Sequence, residues 1–429
     1  MKKSKLHEVN LWRMKKIFGL VILGWTAISC SRQLVEDTTL VDRLMRQHPR
    51  AFRTIQKQKD SLEIQIIYTQ IDRDSANHPH FRSFYYQVDS THYFYPASTV
   101  KLPMVLLALE KMNRLKVPGL DKYTPMLSDS AYAGQHAVRR DTTAANGLPS
   151  VAHYAKKILL VSDNDAYNRL YEWVGQREAN DRLRAKGYRM HILHRLERPL
   201  TPDQNRHTEP IRFLRHDSVI YAQPMLVNPD SIRPRRQVFK GIGYLKNDGQ
   251  LVKHPFDFTY KNDYPLQEQQ EILKAILFPQ SVAQERRFQI PDSERKFVMQ
   301  YMSELPREAR YPAYYKDPNY TDAYCKFLGY ADTRRPLPMG LRIFNKVGDA
   351  YGYLIDNAYF MDPVHGVEFM LSAVINTNTD GIYNDGKYAY REIGYPFMRA
   401  LGKTIYGYEK KRHRPRKPDL SEFIFTYNQ

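Results

Sequence analysis

Ser98 and Lys101 are the two residues of this chain whose types and spacing most directly indicate covalent chemistry. They lie in the stretch Pro-Ala-Ser-Thr-Val-Lys, directly before an apolar, helix-forming run. A serine hydroxyl is a weak nucleophile until a neighbouring base takes its proton. Residues three positions apart share one face of a helix, so we expect Lys101 to reach the hydroxyl of Ser98. An isolated match of this kind more often describes a helix-capping serine followed by a surface lysine.

Two further motifs follow in the same chain. Residues 162–164 read Ser-Asp-Asn after a predicted helix, and residues 346–348 read Lys-Val-Gly within a predicted strand. Ser-x-x-Lys, Ser-Asp-Asn and a Lys-x-Gly strand, in this order, are typical of class A β-lactamases and penicillin-binding proteins. The sequence resembles that family over roughly residues 35–408, apart from residues 212–340. The resemblance implies an α+β fold, with an antiparallel sheet flanked by N- and C-terminal helices beside a helical subdomain.

The resemblance implies catalytic roles for four residues. Ser98 would be the acylated nucleophile, and Lys101 would accept its proton as a neutral amine, directly or through water. Ser162 would pass a proton to the leaving nitrogen. Lys346 would place positive charge beside Ser162 and the carboxylate of the substrate.

The resemblance also implies a set of substrate-binding groups. Asn164 would hydrogen-bond the amide of the substrate and contact Lys101. The backbone N–H groups of Ser98 and Asp349 would form the oxyanion hole, and Gly348 would let the substrate backbone approach the strand edge. Asp163 would hold its turn through buried hydrogen bonds. No cofactor is expected.

Three departures from the family pattern affect the predicted activity. Val347 replaces the serine or threonine whose hydroxyl helps to bind a substrate carboxylate. Arg195-Leu196-Glu197 resembles the start of the omega loop, but the expected continuation is absent. Glu197 and Glu209 are therefore candidates for the carboxylate that activates the deacylating water, although either is better explained as a structural carboxylate paired with Arg195 or Arg206. The third departure is an inserted region of about residues 212–340 beside the cleft.

These observations predict a serine hydrolase that is acylated at Ser98 by an amide or ester, with weak or no β-lactam turnover. A peptidoglycan-derived peptide is the expected substrate, although Val347 weakens that assignment. One alternative is a catalytically inactive protein of the same fold that binds a cell-wall fragment or a partner protein. Another is a structural envelope lipoprotein, for which the three motifs would be coincidental.

The N-terminal segment is typical of a bacterial lipoprotein signal. Lys15 and Lys16 precede an apolar run that is too short to span a bilayer well and ends at Ala-Ile-Ser-Cys. We expect cleavage before Cys30 and acylation of its thiol, which would tether the chain to a bacterial membrane facing the periplasm or exterior. The expected organisation is a signal over residues 1–29, a hydrolase domain over 30–408 and a basic tail over 409–429.

The composition limits the partners. The 429-residue chain has a net charge of +19, which favours polyanions such as lipid headgroups or cell-wall polymers. Export makes nucleic acid the least plausible polyanion, and the basic run at residues 410–417 is interpreted as a solvated tail. Cys325 has no partner once Cys30 is acylated, so no disulfide is expected.

A metal site is not expected from the histidines. His191, His194 and His207 lie near one another in the sequence, but no carboxylate has convincing ligand spacing with them.

The periodicity of apolar residues places the motifs on definite elements. Helices are predicted over residues 41–59, after Ser98, and over 150–160, 164–174, 266–277, 292–304 and 388–406. Strands are predicted over residues 64–72, 84–88, 341–346, 358–362 and 369–375, and a hairpin is predicted to turn at residues 247–249.

Overall fold

A five-stranded antiparallel sheet forms the centre of the described chain. The structure is a computed structural model that describes residues 39–229, 234 and 236–427, all within one compact unit, Glu36–Gln429. The predicted signal segment and Cys30 lie outside the described residues. No helix within the described ranges is long and apolar enough to cross a membrane.

The strands of the protein have the following bounds: β1 Gln65–Arg73, β2 Pro79–Tyr86, β3 Met126–Ser128, β4 Ile211–Arg215, β5 Ser218–Gln223, β6 Phe239–Lys240, β7 Gly243–Leu245, β8 Leu251–Val252, β9 Phe256–Asp257, β10 Arg342–Ala350, β11 Tyr353–Asp362, β12 Val367–Asn376 and β13 Ile382–Tyr383.

The α-helices have the following bounds: α1 Thr39–Arg46, α2 Pro49–Lys57, α3 Lys101–Leu115, α4 Val151–Val161, α5 Asn164–Val174, α6 Gln176–Ala185, α7 Pro202–Arg206, α8 Leu266–Leu277, α9 Asp292–Ser303, α10 Phe327–Tyr330 and α11 Tyr395–Glu409. A 3₁₀ turn, Ala97–Val100, leads into α3, and a π-helical turn, Tyr390–Gly394, leads into α11.

The central sheet has the order β10-β11-β12-β1-β2, with every neighbour antiparallel. This arrangement of strands from both ends of the chain, packed by helices, confirms the predicted α+β fold. Strand β10, which carries the Lys-Val-Gly motif, is the edge strand and therefore has one side without a sheet partner.

Apolar residues cover both faces of this sheet. Strands β11 and β12 are buried along their whole length, as expected of central strands packed on both sides. One core lies under α3, α4 and α5, and a second joins the sheet to α1, α2 and α11. Helices α8 and α9 contact the strands on one face and connect them to the helices that carry the motifs, whereas the terminal helices pack on the other face.

The predicted helices and strands match the structure where the periodicity of apolar residues is strong. The predicted helices over residues 164–174 and 266–277 match α5 and α8, and the hairpin turning at residues 247–249 is formed by β7 and β8. The helix predicted over residues 41–59 is instead two helices, because Pro49 begins a new helix as its first residue.

The basic run at residues 410–417 is largely exposed, but the C-terminal segment as a whole is fixed to the domain. Arg412 and Arg414 form ion pairs with the buried Glu409 at the end of α11. Further on, Leu420 and Phe423 are buried in the core of the molecule. Two apolar side chains beyond the basic run therefore hold this segment against the domain.

Candidate active site

Ser98 lies in the 3₁₀ turn that leads into α3, and the residue before it is strained. Ala97 has a φ of +48°, a left-handed conformation that is unfavourable for a residue with a Cβ. The turn is held by Thr99, whose hydroxyl and backbone N–H both donate to the carbonyl of Pro96, the hydroxyl at 2.7 Å. Residues keep such an unfavourable backbone conformation only when the surrounding structure holds them in it, and these residues are common at functional sites.

Lys101 is completely buried at the first turn of α3. Its Nζ contacts the carbonyl of Ser162, Asn164 Oδ1 at 2.5 Å and Ser162 Oγ at 3.3 Å. Burial lowers the pKa of the Lys101 amine well below its usual value, and the nearby charge of Lys346 lowers it further. A neutral amine has two N–H groups and one lone pair, so it can donate to the carbonyl and the amide and accept from the Ser162 hydroxyl.

Lys346 approaches the same hydroxyl from strand β10. Its Nζ donates to Ser162 Oγ at 2.8 Å and to the carbonyl of Val347 at 2.8 Å. Burial lowers the pKa of Lys346 to about 8, so this lysine is largely cationic at neutral pH. Two ammonium groups around one hydroxyl repel each other, which favours one neutral and one charged lysine.

Ser162 is placed by the junction of two helices. It ends α4 with a φ of +61°, and the carboxylate of Asp163 caps α5 by accepting from the N–H of Ala166 at 2.7 Å. The sharp turn between the helices points Ser162 and Asn164 towards α3. Asp163 thus has the turn-holding hydrogen bond that the sequence led us to expect.

The spacing predicts a hydrogen bond between the Ser98 hydroxyl and the Lys101 amine, and the described residues do not form it. Within the described ranges, Ser98 Oγ forms no hydrogen bond with either Lys101 or Lys346. The Lys101 amine instead contacts three oxygens: the carbonyl and Oγ of Ser162 and Oδ1 of Asn164. Ser98 still faces the same cavity as Ser162 and Asn164.

The turn that carries Ser98 packs against strand β10 at Gly348. A Cβ built on Gly348 would lie 2.9 Å from the backbone nitrogen of Ser98 and 2.9 Å from the carbonyl oxygen of Pro96. Only glycine permits this close approach. It brings the backbone of the strand beside the N–H of Ser98, which donates no hydrogen bond within the described chain.

Two cavities meet at Ser98. The first has a volume of about 500 Å³ and is lined by Ser162, by Val347 and by residues of the inserted region, including Tyr324 and Arg334. We call it the Ser162 compartment. The second, of about 680 Å³, is lined by Tyr95, Phe256, Lys261, Tyr351 and Tyr388. We call it the aromatic compartment.

Both compartments share four residues: Ser98, Asn164, Glu197 and Asp349. The nucleophile candidate therefore sits at the junction of a continuous cleft rather than at the bottom of a single pocket.

The two carboxylate candidates occupy different environments. Glu209 is buried, forms an ion pair with Arg169 and accepts from the backbone N–H of His136 at 2.9 Å. It is therefore structural, although its partner is neither of the arginines that we expected.

Glu197 is exposed on the wall of the cleft, has a φ of +52° and forms no ion pair within the described chain. Arg195, which we expected to pair with Glu197 or Glu209, forms an ion pair with the buried Glu172 instead.

Several residues around the cleft were not predicted from the sequence. The ring of Tyr351 forms part of the aromatic compartment, and this tyrosine sits in a two-residue turn between β10 and β11 with a φ of +54°. A Tyr-Gly pair between two strand-like runs was a signal for such a turn. Phe256 and Lys261 come from the inserted region, which was expected beside the cleft, although no local pattern indicated which of its residues would line the cavity.

The remaining residues singled out by sequence have ordinary surroundings. His194 donates from Nδ1 to the carbonyl of Arg195 at 2.6 Å, and burial lowers its pKa to about 4. His207 stacks on Tyr132 at 3.8 Å. The described part of the chain holds no group of three or more potential metal ligands. Cys325 is a buried free thiol whose pKa is raised to about 11 by burial.

The α+β fold and a serine hydroxyl held between two buried lysines agree with the predicted serine-hydrolase class. Residues 50–228 match the model of the beta-lactamase enzyme family, and this segment carries Ser98, Lys101 and Ser162. The predicted resemblance to β-lactamases and penicillin-binding proteins is thereby confirmed. Strand β10, with Lys346, lies beyond the matched segment.

Solved structures of similar proteins have low sequence identity to this chain. A β-lactamase from Xanthomonas campestris is 14% identical, with a TM-score of 0.45, and covers 85% of this chain and 98% of its own. A β-lactamase from Desulfarculus baarsii is 13% identical, with a TM-score of 0.44, and covers 86% and 98%. PBP-A, in an acyl-enzyme complex with penicillin G, is 15% identical, with a TM-score of 0.43, and covers 86% and 97%. No curated protein matches the sequence.

Proposed function

We propose that this chain is a cell-envelope serine hydrolase that forms an acyl-enzyme at Ser98 with an amide or ester substrate. The observation that carries the proposal is the placement of Ser162 Oγ between Lys101 Nζ at 3.3 Å and Lys346 Nζ at 2.8 Å. A buried neutral amine, a hydroxyl and a buried cation in contact form a chain along which a proton can move. A purely structural site has no need for two desolvated lysines around one serine.

The proposed acylation step proceeds as follows. Ser98 Oγ attacks the carbonyl carbon of the substrate while its proton passes to the neutral Lys101. The carbonyl oxygen becomes an oxyanion beside the N–H of Ser98 and the backbone of strand β10. When the bond to the leaving nitrogen or oxygen breaks, Ser162 donates its proton to that atom and regains one from Lys101.

This step requires Ser98 Oγ to approach Lys101 more closely than in the free protein. Catalytic hydrogen bonds are frequently long or unformed until substrate binds. Lys101 already lies one helical turn from Ser98, and Asn164, which contacts the amine, lines the cleft that the substrate would enter.

Deacylation is proposed to be slow. The well-buried carboxylate candidate, Glu209, is neutralised by Arg169 and is not available as a base. Glu197 is exposed and is not held in position by any ion pair within the described chain. We therefore expect little β-lactam turnover, and rapid catalytic hydrolysis of nitrocefin by the purified protein would contradict this part of the proposal.

The proposed substrate class is a peptide or small molecule derived from peptidoglycan. Support comes from the proposed location in the envelope and from the polar Ser162 compartment. Val347 weakens recognition of a terminal carboxylate, because its buried side chain presents no hydroxyl there.

Mass spectrometry of the intact protein tests acylation directly. The protein would be exposed to a panel of penicillins and to a fluorophosphonate. We expect a single adduct that maps to Ser98 and is absent from the Ser98→Ala variant. If none of these reagents modifies the wild-type protein, the proposal is wrong and the inactive binding protein becomes the better description. The missing hydrogen bond between Ser98 and Lys101 is the observation that favours that alternative.

We further propose that Cys30 carries a lipid that tethers the protein to a bacterial membrane, with the domain facing the periplasm or exterior. The support is the order of charged, apolar and cleavage regions in residues 14–30. Expression of the full-length chain with labelled fatty acid would test this proposal. Label that persists in the Cys30→Ser variant would contradict it.

A further inference from the structure

The cleft on either side of Ser98 is chemically asymmetric. The Ser162 compartment carries Ser162 itself, whereas Ser162 is not part of the wall of the aromatic compartment. In the proposed mechanism Ser162 delivers a proton to the leaving atom, so the leaving group must lie in the Ser162 compartment. The acyl part of the substrate must then extend to the other side of Ser98, into the aromatic compartment.

Four tyrosine and phenylalanine rings line that second compartment: Tyr95, Phe256, Tyr351 and Tyr388. Tyr351 packs edge-on against Tyr95 at 5.0 Å and lies 5.7 Å from Phe256. Tyr351 and Phe256 are only partly buried, so each ring has one side in the core and another towards the cavity. A cavity of about 680 Å³ with such walls fits a planar ring system.

Tyr351 is held in this wall against its backbone preference. Both residues of the turn, Tyr351 and Gly352, have a positive φ, of +54° and +83°. Turns of this kind favour asparagine or glycine at the first position, not tyrosine. An asparagine there would fit the backbone better and would remove the ring. The contribution of tyrosine at this strained position is therefore its aromatic ring on the wall of the cavity.

A cation accompanies the rings. Lys261 Nζ lies 5.8 Å from the ring of Tyr351 and 5.9 Å from that of Phe256. Lys261 forms no ion pair with the described residues, and its positive charge lowers the pKa of the neighbouring His194. The other cations on this wall, Arg195 and Arg198, are already paired with Glu172 and Asp165. The carboxylates of Glu197 and Asp349 line the junction with the Ser162 compartment, so Lys261 is available to an anionic group of a ligand beside Tyr351 and Phe256.

We propose that the aromatic compartment binds the acyl group of the substrate and selects an aromatic ring that bears a negative charge. This inference rests on the proposed function, because Ser162 assigns the leaving side. The rings supply the contact surface and Lys261 supplies the charge preference. An amide or ester of an aromatic acid with a second acidic group is then the preferred substrate, in place of the peptidoglycan peptide that the proposed location alone suggests.

Three thioesters with the same leaving group test the proposal: propanoyl, 3-phenylpropanoyl and 3-(4-carboxyphenyl)propanoyl. In the acylation step the Oγ–C bond forms, the C–S bond breaks, and the thiol leaves with the proton. Acylation rates at Ser98 would be followed by mass spectrometry. We expect the phenyl compound to react at least tenfold faster than the propanoyl compound, and the carboxyphenyl compound to react faster again.

Two variants separate the contributions of ring and charge. Tyr351→Asn should reduce the phenyl-to-propanoyl rate ratio at least tenfold, while the turn remains favourable. Lys261→Met, which keeps the aliphatic stem, should abolish the advantage of the carboxyl group. The control is Tyr315→Asn, because Tyr315 is 55% exposed and lines neither compartment. Equal ratios in wild type and Tyr351→Asn would overturn the proposal.

A binding measurement keeps the inference testable if Ser98 proves unreactive. The Ser98→Ala protein would be titrated with 3-(4-carboxyphenyl)propanoate, using ligand-observed NMR. Binding that weakens in Tyr351→Asn and in Lys261→Met supports the site independently of acylation. Binding that is absent from the wild-type protein, or unaffected by both variants, refutes it. A failure of acylation with retained binding would therefore overturn only the proposed function.

Discussion

Lys346 Nζ donates a 2.8 Å hydrogen bond to Ser162 Oγ across 184 positions of sequence. The same hydroxyl lies 3.3 Å from Lys101 Nζ, so strand β10 and helix α3 meet at the end of helix α4. Sequence spacing suggested a serine and a lysine working as a pair on one helix. In the structure the polar network is centred on a second serine, Ser162, and Ser98 lies at the junction of the two compartments.

Replacing Lys101 by methionine tests its role as the base. Lys101→Met removes the amine but keeps a similar apolar volume, so the fold should survive. Acylation of Ser98 should slow by roughly 10²–10⁴-fold, the usual contribution of a general base. Lys111→Met is the matched control, because Lys111 is a second buried lysine of α3 that donates to the carbonyl of Trp173. An acylation rate in Lys101→Met equal to that in Lys111→Met would exclude Lys101 as the base.

The pH dependence of acylation should report the two lysines. Lys101 must be neutral, which favours higher pH, and Lys346 must be charged, which requires a pH below its lowered pKa of about 8. The rate should therefore fall as the pH rises through about 8. Because the lysines interact, the observed values belong to the pair. In Lys346→Arg the side chain stays charged, so the decrease of the acylation rate above about pH 8 should disappear, even if the maximal rate is lower. If the same decrease persists unchanged in this variant, it arises from the titration of another group.

The lifetime of the acyl-enzyme should depend on Glu197 rather than on Glu209. Glu197 is the exposed carboxylate that lines both compartments beside Ser98. Glu197→Gln should slow the remaining deacylation by about 10²-fold or more, as expected for loss of a general base, with little change in acylation. The measurement is the decay of the adduct by mass spectrometry. Glu209→Gln should instead destabilise the fold, because it disrupts a buried ion pair with Arg169. Identical adduct lifetimes in wild type and Glu197→Gln would show that Glu197 has no part in deacylation.

Val347→Thr should increase reaction with penicillins. The substitution adds a hydroxyl at a position that lines the Ser162 compartment and changes the side-chain shape very little. A hydrogen bond to a charged group is worth about 1.5–3 kcal/mol, so acylation should rise roughly 10–100-fold. An ester without a carboxylate should gain nothing. A similar gain with both substrates would point to a general effect on the site instead of carboxylate recognition.

Gly348→Ala should damage both the stability and the reactivity of the site. The new methyl group would lie 2.9 Å from two backbone atoms of the Ser98 turn, and backbone atoms cannot move away as a flexible side chain can. We expect a loss of about 1–3 kcal/mol in the free energy of unfolding and at least a 100-fold slower acylation. Gly407→Ala is the control, since nothing lies within 4 Å of a Cβ there and α11 should gain about 0.5–1 kcal/mol. Thermal unfolding of both variants checks the contrast.

The sequence by itself determined most of the elements and the identities of the candidate site residues. The apolar periodicity of α5 and α8 is strong and local, and the three motifs are short and contiguous, so both could be predicted without tertiary information. The break at Pro49 and the strained turn at Tyr351 also have sequence signals, although their consequences depend on packing.

Only the tertiary structure decided which groups meet. The 3.6-residue period placed Lys101 on the same helical face as Ser98, but the direction of its amine depends on the oxygens that surround it, and these belong to residues 162–164. The choice of Arg169 as the partner of Glu209, and of Glu172 as the partner of Arg195, likewise follows from burial across distant elements. A desolvated charge binds the nearest compensating group in space, and local sequence patterns carry no information on that distance.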